Sequence, residues 1–179
     1  MFTMIFFRPS FSALRTLLLA LVLSVGAAQG VKAQSALVGE DYKKVNQLLN
    51  SKNLTAAQQA ADTYLANNPQ DPQMRLLKSR ILIAQDNIAE ARNVLLLLTQ
   101  EYPEIAEPHN NLAVLYAQAG ELDMARVSLE NALRVNPHYA MALQNLGDVY
   151  RRIAHDHYSR ALALQPGNRA LQEKIKTVQ

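Results

Sequence analysis

The sequence predicts an all-α chain, a solenoid of antiparallel helix pairs. Three observations predict it. Asn68-Pro69, Tyr102-Pro103 and Asn136-Pro137 close segments at a constant interval of 34 residues. Ala57, Ala91 and Ala125 fall at the same interval, as do the bulky Leu48, Leu82 and Tyr116. A self-similar period in this range marks stacked supersecondary units, each too small to bury its apolar face alone.

The third copy is the clearest: Leu112-Ala113, Tyr116, Gly120, Ala125, Leu129, Ala132, Pro137. Leu112 and Tyr116 stand four apart on one helix face. Gly120 supplies the permissive backbone that ends that helix. Ala125 and Ala132 are small enough to let two helices approach, Leu129 fills the space between them, and Pro137 opens the next unit where a missing N–H costs little. This copy resembles the tetratricopeptide repeat (TPR) at nearly every signature place, with His109 where the family opens on an aromatic residue. The second copy keeps Ser79, Leu82, Ala91, Leu95 and Leu98, enters through Asp71-Pro72, a good cap followed by proline in the first turn, and carries Asp86-Asn87 where the glycine stands. The first copy is the most degenerate, with Val45, Leu48, Ala57, Ala61, Tyr64 and Pro69. The units run about 38–71, 72–105, 106–139 and 140–168.

The fourth unit is five residues short, since Pro166 follows Pro137 by 29. The residues are missing where the turn between its helices belongs. Leu143, Leu146, Tyr150, Ile153/Ala154, Tyr158, Ala161 and Leu164 keep a three-four spacing across that place, and no proline occurs from Tyr139 to Gln165. The spacing predicts one long amphipathic helix instead of a hairpin. Pro166-Gly167-Asn168 breaks it, and residues 169–179, with Leu171, Ile175 and Val178 on one face, read as a C-terminal capping helix.

Residues 1–33 read as a signal peptide. Arg8 and Arg15 precede the apolar run from Thr16 to Ala28, and Val31-Lys32-Ala33 is a small-residue exit with cleavage expected after Ala33, or else after Gly30. An uncleaved anchor needs about 20 apolar residues, more than this run supplies. The expected location is therefore periplasmic or secreted, with inner-membrane tethering through the leader as the alternative. The chain has no cysteine, which excludes disulfides, thiolate metal sites and a lipid-anchored cysteine. Removing Arg8, Arg15 and Lys32 from the 18 basic residues balances the 15 acidic ones. A neutral mature chain lacks the electrostatic footprint of a nucleic-acid binder.

The TPR resemblance implies a concave groove lined by the first helix of each pair, with a protein or peptide as the partner. Carried onto this sequence, the lining is Tyr42, Asn46 and Asn50; Gln73, Leu76, Arg80 and Ile83; Asn110, Val114, Ala117 and Gln118; then Gln144, Asp148 and Arg151. Its amides both donate and accept, as an extended peptide backbone requires. Asn46 and Arg80 match part of the carboxylate-binding arrangement of some TPRs, but Tyr42 replaces a lysine and no second lysine follows, so no such clamp is inferred. His155-Asp156-His157 places two imidazoles about 200° apart on a helix, unlike the i, i+4 pairs that share zinc. His109 and His138 open repeat helices as capping or packing residues. Leu95-Leu96-Leu97-Leu98 is either buried between units or an exposed seam for self-association. No phosphate loop, nucleophile elbow or His-Glu-x-x-His occurs. The expectation is a cofactor-free, non-enzymatic periplasmic adaptor. The rival reading is a self-associating or leader-anchored assembly subunit of a cell-envelope system.

Overall fold

The computed structural model describes residues 39–178, and the leader lies outside them. The chain divides into two compact units, Met1–Lys44 and Val45–Gln179. In the first, residues 39–44 are helical. In the second, residues 45–50 are helical as well, and the helix over residues 39–50 is labelled α1. The second unit continues with α2 (Leu54–Asn67), α3 (Pro72–Ala84), α4 (Ile88–Glu101), α5 (Ala106–Gln118), α6 (Leu122–Val135), α7 (Ala140–Leu164) and α8 (Arg169–Thr177). Each helix from α2 onward packs on its successor, and α5 also meets α7, which is the neighbour order of a solenoid.

Local chemistry sets the helix starts. Asp71 Oδ1 accepts from the Met74 N–H at 2.9 Å, with Pro72 opening α3. Asn53 and Asn168 cap α2 and α8 in the same way. The turns inside the first three pairs share one feature. Lys52, Asp86 and Gly120, spaced by 34, have φ of 59°, 62° and 79°. Only at Gly120 does the residue type suit that left-handed backbone at no cost.

The core repeats as the sequence does. Ala57, Ala61 and Tyr64 on α2, Ala91, Leu95 and Leu98 on α4, and Ala125, Leu129 and Ala132 on α6 are all buried. Polar contacts tie successive units together. Tyr102 Oη donates to the Gln70 carbonyl at 2.5 Å, and Arg75 pairs with Glu101. Arg92 bonds Glu121 at 3.1 Å while its guanidinium lies 5.0 Å from the Tyr116 ring centre. Of the four-leucine run, Leu95 and Leu98 are buried and Leu96 is half-buried. Only Leu97 is substantially exposed, so the run is an inter-unit core and not a continuous seam.

The fourth unit is one helix. α7 runs 25 residues without a break through 151–156, about 37 Å at 1.5 Å per residue. The next place after Gly120 in the 34-residue series is Ala154, a strong helix former, and no glycine or asparagine stands near it to end the helix. α8 returns along the second half of α7. Arg151 Nη1 donates to the Val178 carbonyl at 3.4 Å, and Lys174 Nζ lies 5.3 Å from the Tyr158 ring centre. Leu171, Ile175 and Val178 are each half-buried, as a cap whose outer face meets water should be. No helix among the described residues is long and apolar enough to cross a membrane.

Candidate functional site

First helices of neighbouring units touch at offsets of one repeat. Arg80 on α3 donates to Asn46 Oδ1 on α1 at 3.4 Å. Asn145 on α7 donates to Asn110 Oδ1 on α5 at 2.9 Å. Arg152 on α7 donates to the Ala117 carbonyl near the end of α5 at 2.6 Å, where a cation also complements the partial negative charge of the helix terminus.

Between α5 and α7 these contacts frame a cleft of about 160 Å³. Ala113, Val114, Ala117, Leu129 and Val149 form its apolar lining, and Gln118, Asn145, Asp148 and Arg152 its polar edge. Small-molecule sites occupy roughly 300–1,000 Å³. This cleft has the scale of a side chain. The two alanines create the space, since a larger residue at either place would fill it.

The sequence-predicted lining divides. Val114, Ala117, Gln118 and Asp148 converge on the cleft. Asn46, Leu76 and Ile83 are half-buried, and Asn50, Gln73, Arg80 and Gln144 are exposed. Tyr42 belongs to the first compact unit, where it is half-buried on α1. Asn110, expected to face a partner, is 1% exposed. Its carbonyl oxygen is taken by Asn145, and its amide donates to Asn111 Oδ1 at 3.4 Å. It holds two units together beneath the surface. Arg151 turns toward α8, bonding Val178 and lying 3.7 Å from Asp148, and its successor Arg152 edges the cleft instead.

Asn145, Val149 and Arg152 were missed by sequence reasoning. The period could have found Arg152, which stands one repeat beyond Gln118. His109 is buried in α5, where loss of hydration holds its imidazole below the ordinary range while its bond to the Pro103 backbone pulls the other way. His155 and His157 face different clefts. The first lies with Arg151, Arg152 and Val178, the second with Gly120, Leu122 and Arg160.

Comparison with known proteins places this geometry. Models of the tetratricopeptide repeat match residues 48–115 and 106–139, together more than half of the 179-residue chain. The uncharacterized protein ycf37 of Pyropia yezoensis is 34% identical over 70 residues, 36% of this chain and 39% of that protein, so the match spans well under half of that relative. Among solved structures, the Sgt2 TPR domain from Aspergillus fumigatus superposes with a TM-score of 0.62 at 14% identity, covering 66% of this chain and 80% of that one. The first TPR of Spaghetti (RPAP3) bound to the HSP90 peptide SRMEEVD gives 0.58 at 14%, over 63% and 89%. A thermophilic TPR protein of Thermus thermophilus gives 0.55 at 20%, over 75% and 77%. At these identities the likeness is one of fold. With the 34-residue period, the paired helices and the matched repeats in agreement, the chain belongs to the tetratricopeptide-repeat family.

Proposed function

We propose that this chain is a periplasmic adaptor that holds a segment of a partner protein along its first-helix face, without cofactor or catalysis. The observation that carries the reading is the cleft between α5 and α7, a side-chain-sized apolar recess with amide and charged groups at its edge. An aliphatic side chain of the partner enters between Val114 and Val149, and its backbone meets the amides of Gln118 and Asn145. That the first TPR of Spaghetti was solved with an HSP90 peptide supports a peptide as the class of ligand. The lining carries no convergent nucleophile and base, so the arrangement suits binding.

Capture from an envelope extract tests the site. Val114→Asp puts a charge into the recess and should reduce capture of the bound partner about tenfold or more, while circular dichroism stays unchanged. Equal capture by parent and variant would move binding off this face. Export is tested separately by the mass of the protein recovered from cells. A chain beginning at Gln34 supports export with removal of the leader, and an intact N-terminus recovered from the cytoplasm would overturn it.

A further inference from the structure

α7 carries two faces, and among the described residues only one of them is fully buried. Ala142 and Val149, which meet the preceding unit, are 0% and 3% exposed. Leu143, Gly147 and Tyr150 hold the places of His109, Ala113 and Tyr116 one unit earlier, the places that pack on a repeat's own second helix. His109, Ala113 and Tyr116 are buried, but Leu143 is 51% and Tyr150 49% exposed, and Gly147 is exposed too. The missing partner is not missing from the sequence. Ile153-Ala154-His155-Asp156-His157-Tyr158-Ser159-Arg160-Ala161 aligns with Met124 to Ala132. Ala154, Tyr158 and Ala161 stand where Ala125, Leu129 and Ala132 form the second-helix face of the third unit. What is absent is the counterpart of Ala119-Gly120-Glu121-Leu122-Asp123, the five residues that turn α5 into α6. Because α7 is one unbroken helix, its two complementary faces lie end to end and cannot meet within one molecule.

We propose that they meet between two copies of this chain, α7 against α7, antiparallel about a twofold axis level with Arg152. In the third unit, equal distances from the turn set Tyr116 against Ala125 and His109 against Ala132. The same register across two copies sets Tyr150 against the second copy's Ala154 and Leu143 against its Ala161. Both pairs are centred on residue 152, so one symmetric interface satisfies both at once. Among the described residues the first half of the stripe is exposed, with Tyr150 Oη donating to Glu130 Oε1 of α6 at 3.3 Å, while Ala154, Tyr158 and Ala161 are half-buried. α8 flanks it on the side of Arg151 and Tyr158, and the α5–α6 turn flanks it on the side of Ile153 and His157. The alanines at 154 and 161 allow the close helix approach that the third unit shows. Arg152 points away from the stripe into the α5–α7 cleft, so pairing leaves the partner site accessible.

Sedimentation equilibrium of the chain as isolated from cells, with its leader state read by mass, should give twice the mass of the 19.9 kDa chain or of its processed form. Ala161→Glu, which sets a carboxylate against Leu143 of the second copy, should weaken the dimer at least tenfold at unchanged helicity. Inserting Ala-Gly-Glu-Leu-Asp between Arg152 and Ile153 restores the 34-residue spacing and should give a folded monomer that still captures the proposed partner. Because the chain has no cysteine, Tyr150→Cys and Ala154→Cys chains should form a disulfide-linked pair when mixed. A monomer for the parent chain would overturn the proposal, as would a dimer untouched by the insertion or one that requires the leader. Should Ala161→Glu fail to fold, the insertion decides.

Discussion

Replacing Asn110 should damage the fold before it damages recognition. Asn110→Ala removes a side chain that is 1% exposed and the 2.9 Å bond to Asn145. A buried hydrogen bond contributes about 0.5–1.5 kcal/mol net, and a partner left unsatisfied costs about 1–3 kcal/mol. Asn145 is only half-buried and can turn to water, which puts the loss near the lower end of the sum, about 2 kcal/mol. At about 3 °C per kcal/mol for a unit of this size, the midpoint should fall by about 6 °C. Asn145→Ala should cost a similar amount, because it strands the Asn110 carbonyl in the interior. The double variant should cost less than the sum of the two, by about 1 kcal/mol. Urea unfolding of the four chains of this cycle measures each term. Strict additivity, or a cost for Asn110→Ala below about 0.5 kcal/mol, would refute the claim that this amide pair joins the third and fourth units.

The turns, the buried histidine and the cleft edge each carry a further prediction. Gly120→Ala meets no steric obstacle but forces alanine to φ 79°, and should cost about 1 kcal/mol; Asp86→Gly, at φ 62°, should gain about 0.5 kcal/mol, both read by urea unfolding. His109 is held below its ordinary value of 6.5 in the folded chain, so the unfolded chain takes up its proton first; stability present above pH 6.5 should decline as pH falls through the folded value, and His109→Phe should flatten that part of the thermal-denaturation profile. Arg152→Gln loses the bond to the Ala117 carbonyl at an exposed position, so it should change stability by less than about 1 kcal/mol, read by urea unfolding.

Most of the fold was legible because repetition supplies independent readings of the same rule. The interval of 34 located Ala57, Ala91 and Ala125, and all three are buried. The unbroken three-four spacing from Leu143 to Leu164, with no proline between Tyr139 and Gln165, predicts the fused α7 that the structure shows. The site was less legible. Periodicity assigns a residue to a helix face but does not say whether the next unit closes over that face. Asn110 is such a case, since the amide of Asn145 across the unit boundary turns a groove position into a buried joint. Arg151 and Arg152 differ by one step of about 100°, enough to send one guanidinium to α8 and the other to the cleft. Which of the two faced inward depended on where α8 returns, and that follows from the length of α7. The left-handed backbone at Lys52 was equally hidden, because lysine carries no preference for it and only the stacked helices hold it there.

The offsets of 34 and 35 residues among Arg80–Asn46, Asn145–Asn110 and Arg152–Ala117 have a consequence for any test of this surface. In a solenoid each unit is stabilised by its neighbours, so a side chain that bridges two first helices serves both the stacking and the groove. Loss of binding on changing such a residue is ambiguous, since loosened stacking widens the groove even where the ligand never touched the altered group. Val114 and Gln118 are the informative positions. Both line the cleft, and neither forms one of these bridges. If binding resides in the cleft, Val114→Asp and Gln118→Ala should reduce capture at constant unfolding midpoint. A loss that tracks the midpoint across the whole variant set would show instead that the partner reads the stacking of the units, and the cleft would then be a by-product of the alanines at 113 and 117.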